Sequence, residues 1–179
     1  MTVGQFGYRF SIPMPVRRKI FISYHHGGDQ KYYDAFSKTF HDEYEAVTDN
    51  SLERAIDSDD VAYVLRRIRE NHISGTSCTV VLVGADTWGR KYVDWEIDAT
   101  LQKKHGLIGV WLPSLPVSPN GGTLKPDRLQ ANVNSGYAVW VTWKDFTASV
   151  EACRGYIEQA NARDKELIDN SIARRLSNA

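Results

Sequence analysis

Glu96 is the residue in this sequence with the clearest capacity for chemistry, because three aromatic residues lie close to it along the chain. These are Trp88, Tyr92 and Trp95, in a segment whose pattern predicts a helix. A carboxylate beside aromatic surface is expected either to form an ion pair or to act on a ligand. The neighbouring Lys91 leaves the ion pair open as an alternative.

A second polar segment, residues 23–29 (Ser-Tyr-His-His-Gly-Gly-Asp), follows a short apolar run. The motifs of several standard chemistries are missing: the glycine-rich phosphate-binding patterns, the H-E-x-x-H and C-x-x-C metal patterns, and the G-x-S-x-G nucleophile turn. His25 and His26 alone are weak evidence for a metal. The sequence therefore predicts no metal site and no cofactor, and Ser23 is expected to be a binding hydroxyl rather than a nucleophile.

Apolar periodicity predicts alternating strands and helices along the chain. Strands are predicted for five short apolar runs, at 19–24, 44–47, 80–83, 107–112 and 137–143. Apolar residues spaced by three or four predict helices around 32–40, from 61 to 68, around 93–101, and from 146 towards 176. Asp86 or Thr87 is expected to cap the third of these helices. Residues 113–136, which are rich in proline and glycine, are expected to form an irregular crossover or a lid.

This alternation predicts an α/β fold: a five-stranded parallel sheet of order 2-1-3-4-5 with helices on both faces. Ligands of such sheets bind outside the carboxyl ends of the strands, at the switch between strands one and three. Residues 23–29 and 84–90 are both expected there. The cleft between them would have Trp88, Tyr92 and Glu96 as one wall, and would be concave, aromatic and sparsely polar.

Length and composition fit one ordinary domain without a net charge. The chain has 22 acidic and 22 basic residues, so no overall field would attract nucleic acid or an anionic membrane. No apolar run approaches the roughly 20 residues that cross a bilayer. Cys78 and Cys153 occupy positions typical of buried thiols, which suits a reducing cytoplasm without excluding a disulfide. We predict a cytoplasmic domain at 18–166, an N-terminal arm at 1–17 and a helical tail at 167–179.

Two motifs carry a resemblance to a known family. Lys19-Ile-Phe-Ile-Ser-Tyr24, with His25 and Asp29 after it, resembles the first strand and loop of a TIR (Toll/interleukin-1 receptor) domain. Tyr92-Val-Asp-Trp-Glu96 resembles the W-C-x-x-E helix motif of the same domains. Together they resemble the bacterial TIR-like family that includes the TIR subunit of Thoeris anti-phage systems. This resemblance implies a flavodoxin-like, three-layer α/β sandwich.

The chain departs from the common TIR pattern in three places. Tyr92 replaces the tryptophan of the helix motif and Val93 replaces its cysteine, which suits the bacterial subgroup. The polar loop at 48–60 lacks the proline-glycine pair of many receptor TIR loops. The resemblance therefore leaves open whether the chain associates into a homo-oligomer.

The resemblance implies an enzyme that cleaves NAD⁺ between nicotinamide and ribose, with NAD⁺ as substrate rather than cofactor. Some members release a cyclised or rearranged ADP-ribose signal that activates a separate effector protein in antiviral defence. Glu96 matches the family's catalytic glutamate. Substrate binding is assigned to six residues: Phe21, Ser23, Tyr24, His25, Trp88 and Tyr92. One carboxylate is enough in this chemistry because nicotinamide leaves as a neutral molecule, whereas ordinary glycosidases must protonate a leaving oxygen.

Two other functions fit the same sequence. A non-catalytic TIR-like adaptor would signal by assembling with other domains, and replacing Glu96 would leave its function intact. A different flavodoxin-like nucleoside enzyme, such as a deoxyribosyltransferase, would cleave deoxynucleosides and ignore NAD⁺. Assays with NAD⁺ and with deoxynucleosides separate the three hypotheses.

Overall fold

The computed structural model describes residues 18–48 and 61–179. The predicted arm at 1–17 and nearly all of the predicted polar loop at 48–60 lie outside these residues. Within the described ranges the chain alternates strands and helices, as the apolar pattern predicts.

Five strands in the described ranges form one sheet in the order β2-β1-β3-β4-β5, and each neighbouring pair is parallel. Their bounds are Arg18–Ser23 (β1), Tyr44–Val47 (β2), Cys78–Val83 (β3), Gly106–Trp111 (β4) and Val139–Thr142 (β5). The predicted sheet order is confirmed. All residues of the central strand β3 are buried, as expected for a parallel strand covered by helices on both faces.

Helices lie in each connection between successive strands and after the last strand. Their bounds are His26–Phe40 (α1), Val61–Arg67 (α2), Lys91–Gln102 (α3), Asp127–Asn134 (α4), Trp143–Phe146 (α5) and Val150–Asn161 (α6). A π-helical segment, Ile68–Ile73, continues α2, and short 3₁₀ turns occur at Thr87–Gly89 and Lys165–Leu167.

The core lies on both faces of the sheet, so the architecture is the expected three-layer sandwich. Ile20 and Ile22 of β1 pack on one face, in the cluster that also contains residues of α1 and α6. Phe21, between them, points to the other face and packs with residues of α2 and α3. Successive side chains of a strand point to opposite faces, and burying an aliphatic or aromatic side chain contributes about 1.5–3 kcal/mol. β1 therefore packs against both helical layers.

The connection from β4 to β5 combines an irregular loop with a helix. In its first part, Val117 and Thr123 pair in an isolated antiparallel bridge, which agrees with the predicted irregular crossover. Its second part is α4, a helix that the sequence analysis did not predict. Leu129 and Val133, spaced by four, are too few to mark a helix among proline, glycine and asparagine residues.

The C-terminal residues 168–179 form an extended tail, so the predicted helical tail is wrong. The last α-helix ends at Asn161, and the tail crosses the outer face of α3. The indole N–H of Trp95 donates to the carbonyl oxygen of Arg175 at 2.8 Å, and the backbone N–H of Arg175 donates to Oδ2 of Asp94 at 2.9 Å. An extended backbone leaves its N–H and C=O groups available, and α3 supplies their partners.

The two cysteines are buried and neither forms a disulfide, in agreement with the predicted buried thiols. Burial raises the pKa of Cys153 to about 12, so its thiol stays protonated and inert at neutral pH. Within residues 18–48 and 61–179, none of the helices has the length and apolar character needed to span a membrane.

Candidate active site

Ser23 and Glu96 meet at the carboxyl end of β1. Ser23 is the last residue of β1, and its Oγ donates a hydrogen bond to Oε2 of Glu96 at 2.5 Å. Only 1% of Ser23 and 6% of Glu96 are exposed. The two residues are 73 positions apart in the chain, and the packing of α3 against the sheet brings them together. A hydroxyl bound to a carboxylate oxygen restricts the rotamer of the glutamate.

A pair of threonine hydroxyls also connects this helix to the sheet. Thr100 donates from Oγ1 to the carbonyl oxygen of Glu96 at 2.8 Å, and it lies 2.7 Å from Oγ1 of Thr79 in β3. All three residues are buried. Buried polar groups are costly unless they are hydrogen-bonded, and this chain satisfies them while fixing the distance between α3 and β3. These hydrogen bonds therefore fix the backbone at Glu96 relative to β3.

Phe21 lies near this pair but belongs to the core. Its side chain is 0% exposed and packs with Ile68 and Trp95. Phe21 and Ser23 point to the same face of β1, so the ring lies one pleat deeper than the serine hydroxyl. Its assignment to substrate binding stays a prediction.

Tyr24 and His25 continue from β1 towards α1. The hydroxyl of Tyr24 donates to Oε1 of Gln30 at 2.9 Å, and its ring stacks on Tyr33 with centroids 5.0 Å apart. Burial raises the pKa of Tyr24 well above its ordinary value. The carbonyl oxygen of His25 accepts the backbone N–H of Asp29 at 2.9 Å. Tyr24 packs in the core on the α1 face of the sheet, so its ring does not lie with Glu96 on the α3 face.

Trp88 and Tyr92 are half-buried at the start of α3. The Tyr92 ring meets Trp95 edge-on with centroids 5.6 Å apart, and the Lys91 ammonium lies 5.0 Å from its centroid. The guanidinium of Arg175, in the tail, lies 5.8 Å from the centroid of Trp88. Both rings therefore lie around the start of α3, and the tail contacts Trp88; their predicted role as the wall of a substrate cleft stays a prediction.

Asp29 is a buried carboxylate to which the sequence analysis assigned no role. Only 1% of it is exposed, and it accepts hydrogen bonds from Oγ1 of Thr87 and from Oγ of Ser114, both at 3.2 Å. Burial raises the pKa of Asp29, and these two bonds partly oppose the shift. Asp29 thereby joins the segments that follow β1, β3 and β4. Its place after two glycines in the first loop was the available signal.

Gly84 makes room for this carboxylate. A Cβ atom at position 84 would lie 2.2 Å from Oδ1 of Asp29, far inside van der Waals contact. The glycine that ends β3 is therefore required by the close approach of α1. The absence of a side chain at Gly84 allows the segment after β3 to pack against the start of α1.

The start of α3 is capped from outside its own segment, so the predicted cap at Asp86 or Thr87 is wrong. Arg90 precedes the helix and makes no side-chain cap. The backbone N–H of Lys91 donates to Oδ1 of Asn178 at 3.0 Å. Unpaired N–H groups at a helix start need an acceptor, and the tail supplies it.

The chemistry available at this site is that of one oriented carboxylate in a dry environment. Among the described residues, no group of three or more histidine, cysteine, aspartate or glutamate side chains could hold a metal ion. A buried carboxylate interacts more strongly with a developing positive charge than one in water, because the local dielectric is low. Glu96 has this setting at the carboxyl edge of the sheet, where ligands of such folds bind.

Comparison with known proteins identifies a family and structural likenesses. No curated protein sequence matches the chain. Among solved structures, the TIR domains of the activated Roq1 resistosome directly recognising the pathogen effector XopQ align with a TM-score of 0.38 and 13% identity, over 86% of this chain and 85% of that chain. The family described as Thoeris protein ThsB, TIR-like domain, matches residues 21–116. Because this match spans more than half of the sequence, the chain belongs to the TIR-like domain family of Thoeris protein ThsB.

Proposed function

We propose that this TIR-like domain cleaves the bond between nicotinamide and ribose in NAD⁺, with Glu96 as its catalytic carboxylate. The observation that carries the proposal is the buried hydrogen bond from Ser23 to Glu96 at the carboxyl end of β1. The bond joins the two sequence motifs that resemble those of TIR domains. It holds a carboxylate at the edge of the sheet where a nucleotide would bind.

Cleavage breaks the bond between C1′ of the ribose and the pyridine nitrogen. The bonding electron pair moves to that nitrogen, which loses its positive charge, and nicotinamide leaves as a neutral molecule. Positive charge develops on the ribose ring at the same time. The Glu96 carboxylate would stabilise this charge and accept hydrogen bonds from the ribose hydroxyls. No acid at the leaving nitrogen is required, in contrast to glycosidases that protonate an oxygen.

Ser23 would act as a positioning residue. Its hydroxyl occupies one direction around Oε2 of Glu96 and restricts how the carboxylate turns. A preorganised charge needs little rearrangement when the transition state forms, and this is the main source of electrostatic catalysis. Trp88 and Tyr92, half-buried at the start of the same helix, would contact the base on the outer side of the cleft.

The product depends on which nucleophile reaches C1′. Attack by water, with loss of one proton, would give ADP-ribose. Attack by a ring nitrogen or hydroxyl of the same molecule would give a cyclic ADP-ribose. We propose that such an ADP-ribose derivative is a signal to a separate effector protein in antiviral defence, in keeping with the Thoeris family to which the chain belongs.

Incubation of the purified protein with NAD⁺, alone and in lysate from phage-infected cells, tests this function. Mass spectrometry would follow NAD⁺, nicotinamide and all ADP-ribose species. We expect the parent protein to form nicotinamide and one ADP-ribose species, and Glu96→Gln to form neither. Glu166→Gln makes the same carboxylate-to-amide exchange at an exposed position and should match the parent. Unchanged NAD⁺ in both settings would contradict the proposal and favour an adaptor.

A further inference from the structure

A groove lined in part by two tryptophans lies at the carboxyl ends of β4 and β5, and Glu96 is not among its lining residues. Trp111 is the last residue of β4, and Trp143 follows the last residue of β5. The groove has a volume of about 320 Å³. Its lining is mostly apolar and includes Trp111, Leu112, Leu115, Val117, Trp143 and Lys144.

Both indole rings are held by neighbouring aromatic residues. Trp111 stacks with Trp140, with ring centroids 6.4 Å apart and planes inclined by 16°. Trp143 meets Tyr32 edge-on at 5.3 Å. Both tryptophans are half-buried, so each keeps surface for a ligand. Rings that are already fixed lose little conformational freedom when a ligand binds.

The chemistry of the groove suits a planar base that carries a negative group. An indole ring can stack on any nucleobase, because every base has a π face. Lys144 is exposed at the rim and supplies a positive charge for a phosphate. The Thr142 hydroxyl caps α5 by accepting the backbone N–H of Asp145 at 3.1 Å, and it donates to Oδ2 of Asp145 at 2.7 Å.

The size of the groove is sufficient for one nucleoside. Pockets for small ligands measure roughly 300–1,000 Å³, and this groove lies at the lower end of that range. The other half of a dinucleotide bound here would extend along the carboxyl edge of the sheet.

The geometry of the sheet connects the groove with Glu96. Ser23 ends β1 and Trp111 ends β4, and only β3 lies between these two strands. Two strand spacings amount to about 10 Å, a separation that an extended dinucleotide can cover. The hydrogen bond from Ser114 to Asp29 brings the loop beside the groove against the first turn of α1, which follows β1.

We propose that this groove is the adenosine subsite of the same dinucleotide substrate, with the adenine against Trp143 and a phosphate near Lys144. The inference rests on the proposed function, because it assumes that the nicotinamide ribose lies at Glu96. It assigns the two halves of NAD⁺ to two places on one edge of the sheet. Chemistry occurs at β1, and recognition of the adenine occurs between β4 and β5.

The test compares NAD⁺ with nicotinamide mononucleotide, which contains the scissile bond but lacks the adenosine half. Trp143→Ala is expected to raise KM for NAD⁺ about 10-fold or more, the effect of losing one stacking partner of a base. The loss should be much larger for NAD⁺ than for nicotinamide mononucleotide, which does not reach the groove. Trp143→Phe keeps an aromatic ring and should restore most of the affinity. Equal losses for both substrates, or no change in KM, would overturn the subsite.

Binding of AMP, measured by calorimetry, separates a failure of the subsite from a failure of the proposed function. The parent should bind AMP, Trp143→Ala should lose that binding, and Lys144→Gln should weaken it. The exposed Lys38→Gln is the matched control and should leave it unchanged. If the parent binds AMP in this way but cleaves no NAD⁺, the result supports the groove as a nucleotide subsite and contradicts the catalytic proposal. If the parent does not bind AMP, the groove is not a nucleotide subsite.

Discussion

Arg128 of α4 donates a hydrogen bond from Nε to Oδ1 of Asp94 in α3 at 2.9 Å, and both side chains are removed from solvent. The same guanidinium also donates to Asn170 in the tail. Arg128 therefore joins the unexpected helix of the crossover, the helix that carries Glu96, and the C-terminal tail. The outer face of α3 is held by ionic and polar bonds, whereas its inner face combines apolar packing with the hydrogen bonds from Ser23 to Glu96 and between Thr79 and Thr100.

Arg128→Met is expected to destabilise the protein by about 3–5 kcal/mol, because it leaves the Asp94 carboxylate buried without its cation. Urea unfolding followed by circular dichroism measures the free energy. Arg154→Met is the control, since Arg154 pairs with Glu43 at 2.9 Å on the surface and exposed pairs contribute little. Similar losses for the two variants would contradict a special role for the buried pair.

Removal of residues 169–179 is expected to lower the melting temperature and to loosen the start of α3. The truncation deletes the acceptor for the Lys91 N–H and the Arg174 guanidinium that binds Asp98 at 2.6 Å. The truncation should increase the rate of amide hydrogen exchange in the first turn of α3 more than in β3. The single change Asn178→Ala should cost about 1 kcal/mol, the usual effect of losing a helix cap.

Leu176→Ser is the control for the tail, because 77% of Leu176 is exposed. It should leave both the melting temperature and the exchange rates unchanged. Unaltered exchange in α3 after truncation would contradict the tail as its cap.

Asp29→Asn is expected to increase stability more at neutral than at acidic pH. Burial raises the pKa of Asp29 from its ordinary 3.8, so between these two pKa values the folded state binds more protons than the unfolded state. Stability of the parent therefore falls as pH rises through that window. The cost of the charge is absent below 3.8 and complete above the raised pKa. Asparagine does not ionise, and the hydroxyl of Ser114 can accept from its amide.

The measurement is the unfolding free energy of both proteins in urea between about pH 4 and pH 8. Glu166→Gln, at an exposed position, serves as the control and should show no such trend. An advantage of Asp29→Asn that shrinks with rising pH would contradict the assignment.

Two glycine-to-alanine changes are expected to have opposite effects. Gly84→Ala would put Cβ at 2.2 Å from Oδ1 of Asp29 and should destabilise the protein. Gly155→Ala, inside α6, would meet no atom within 4 Å and should stabilise by about 0.5–1 kcal/mol, because alanine favours a helix over glycine. Thermal unfolding of both variants checks the signs. A neutral Gly84→Ala would mean that α1 does not need this close approach.

The sheet was predictable from the sequence because each strand is a short apolar run bounded by polar residues or glycine. Residues 80–83 and 107–112 needed no long-range information. The features that the sequence analysis missed depend on distant contacts. Arg128 and the tail stabilise each other through Asn170, so neither α4 nor the extended tail has a strong local pattern.

Only the neighbourhood of the candidate site was open to prediction. The sheet order predicts that residues 23–29 and 84–90 lie at one edge of the sheet, but the hydrogen bond from Ser23 to Glu96 depends on the angle between a strand and a helix, which the spacing of residues cannot give. Asp29 was missed because its partners, Thr87 and Ser114, come from two later loops. The groove at Trp111 and Trp143 likewise exists only when β4 and β5 lie side by side.

The catalytic role of Glu96 is tested most directly by the rate of nicotinamide release from NAD⁺ by the parent, Ser23→Ala and Glu96→Gln. We expect Glu96→Gln to lower kcat by about 100-fold or more, because a group that stabilises transition-state charge is lost. Ser23→Ala should lower kcat by a smaller factor with little change in KM, because the carboxylate remains but is less well oriented. Circular dichroism would verify that both variants are folded. A folded Glu96→Gln variant that releases nicotinamide at the rate of the parent would contradict the catalytic role of Glu96.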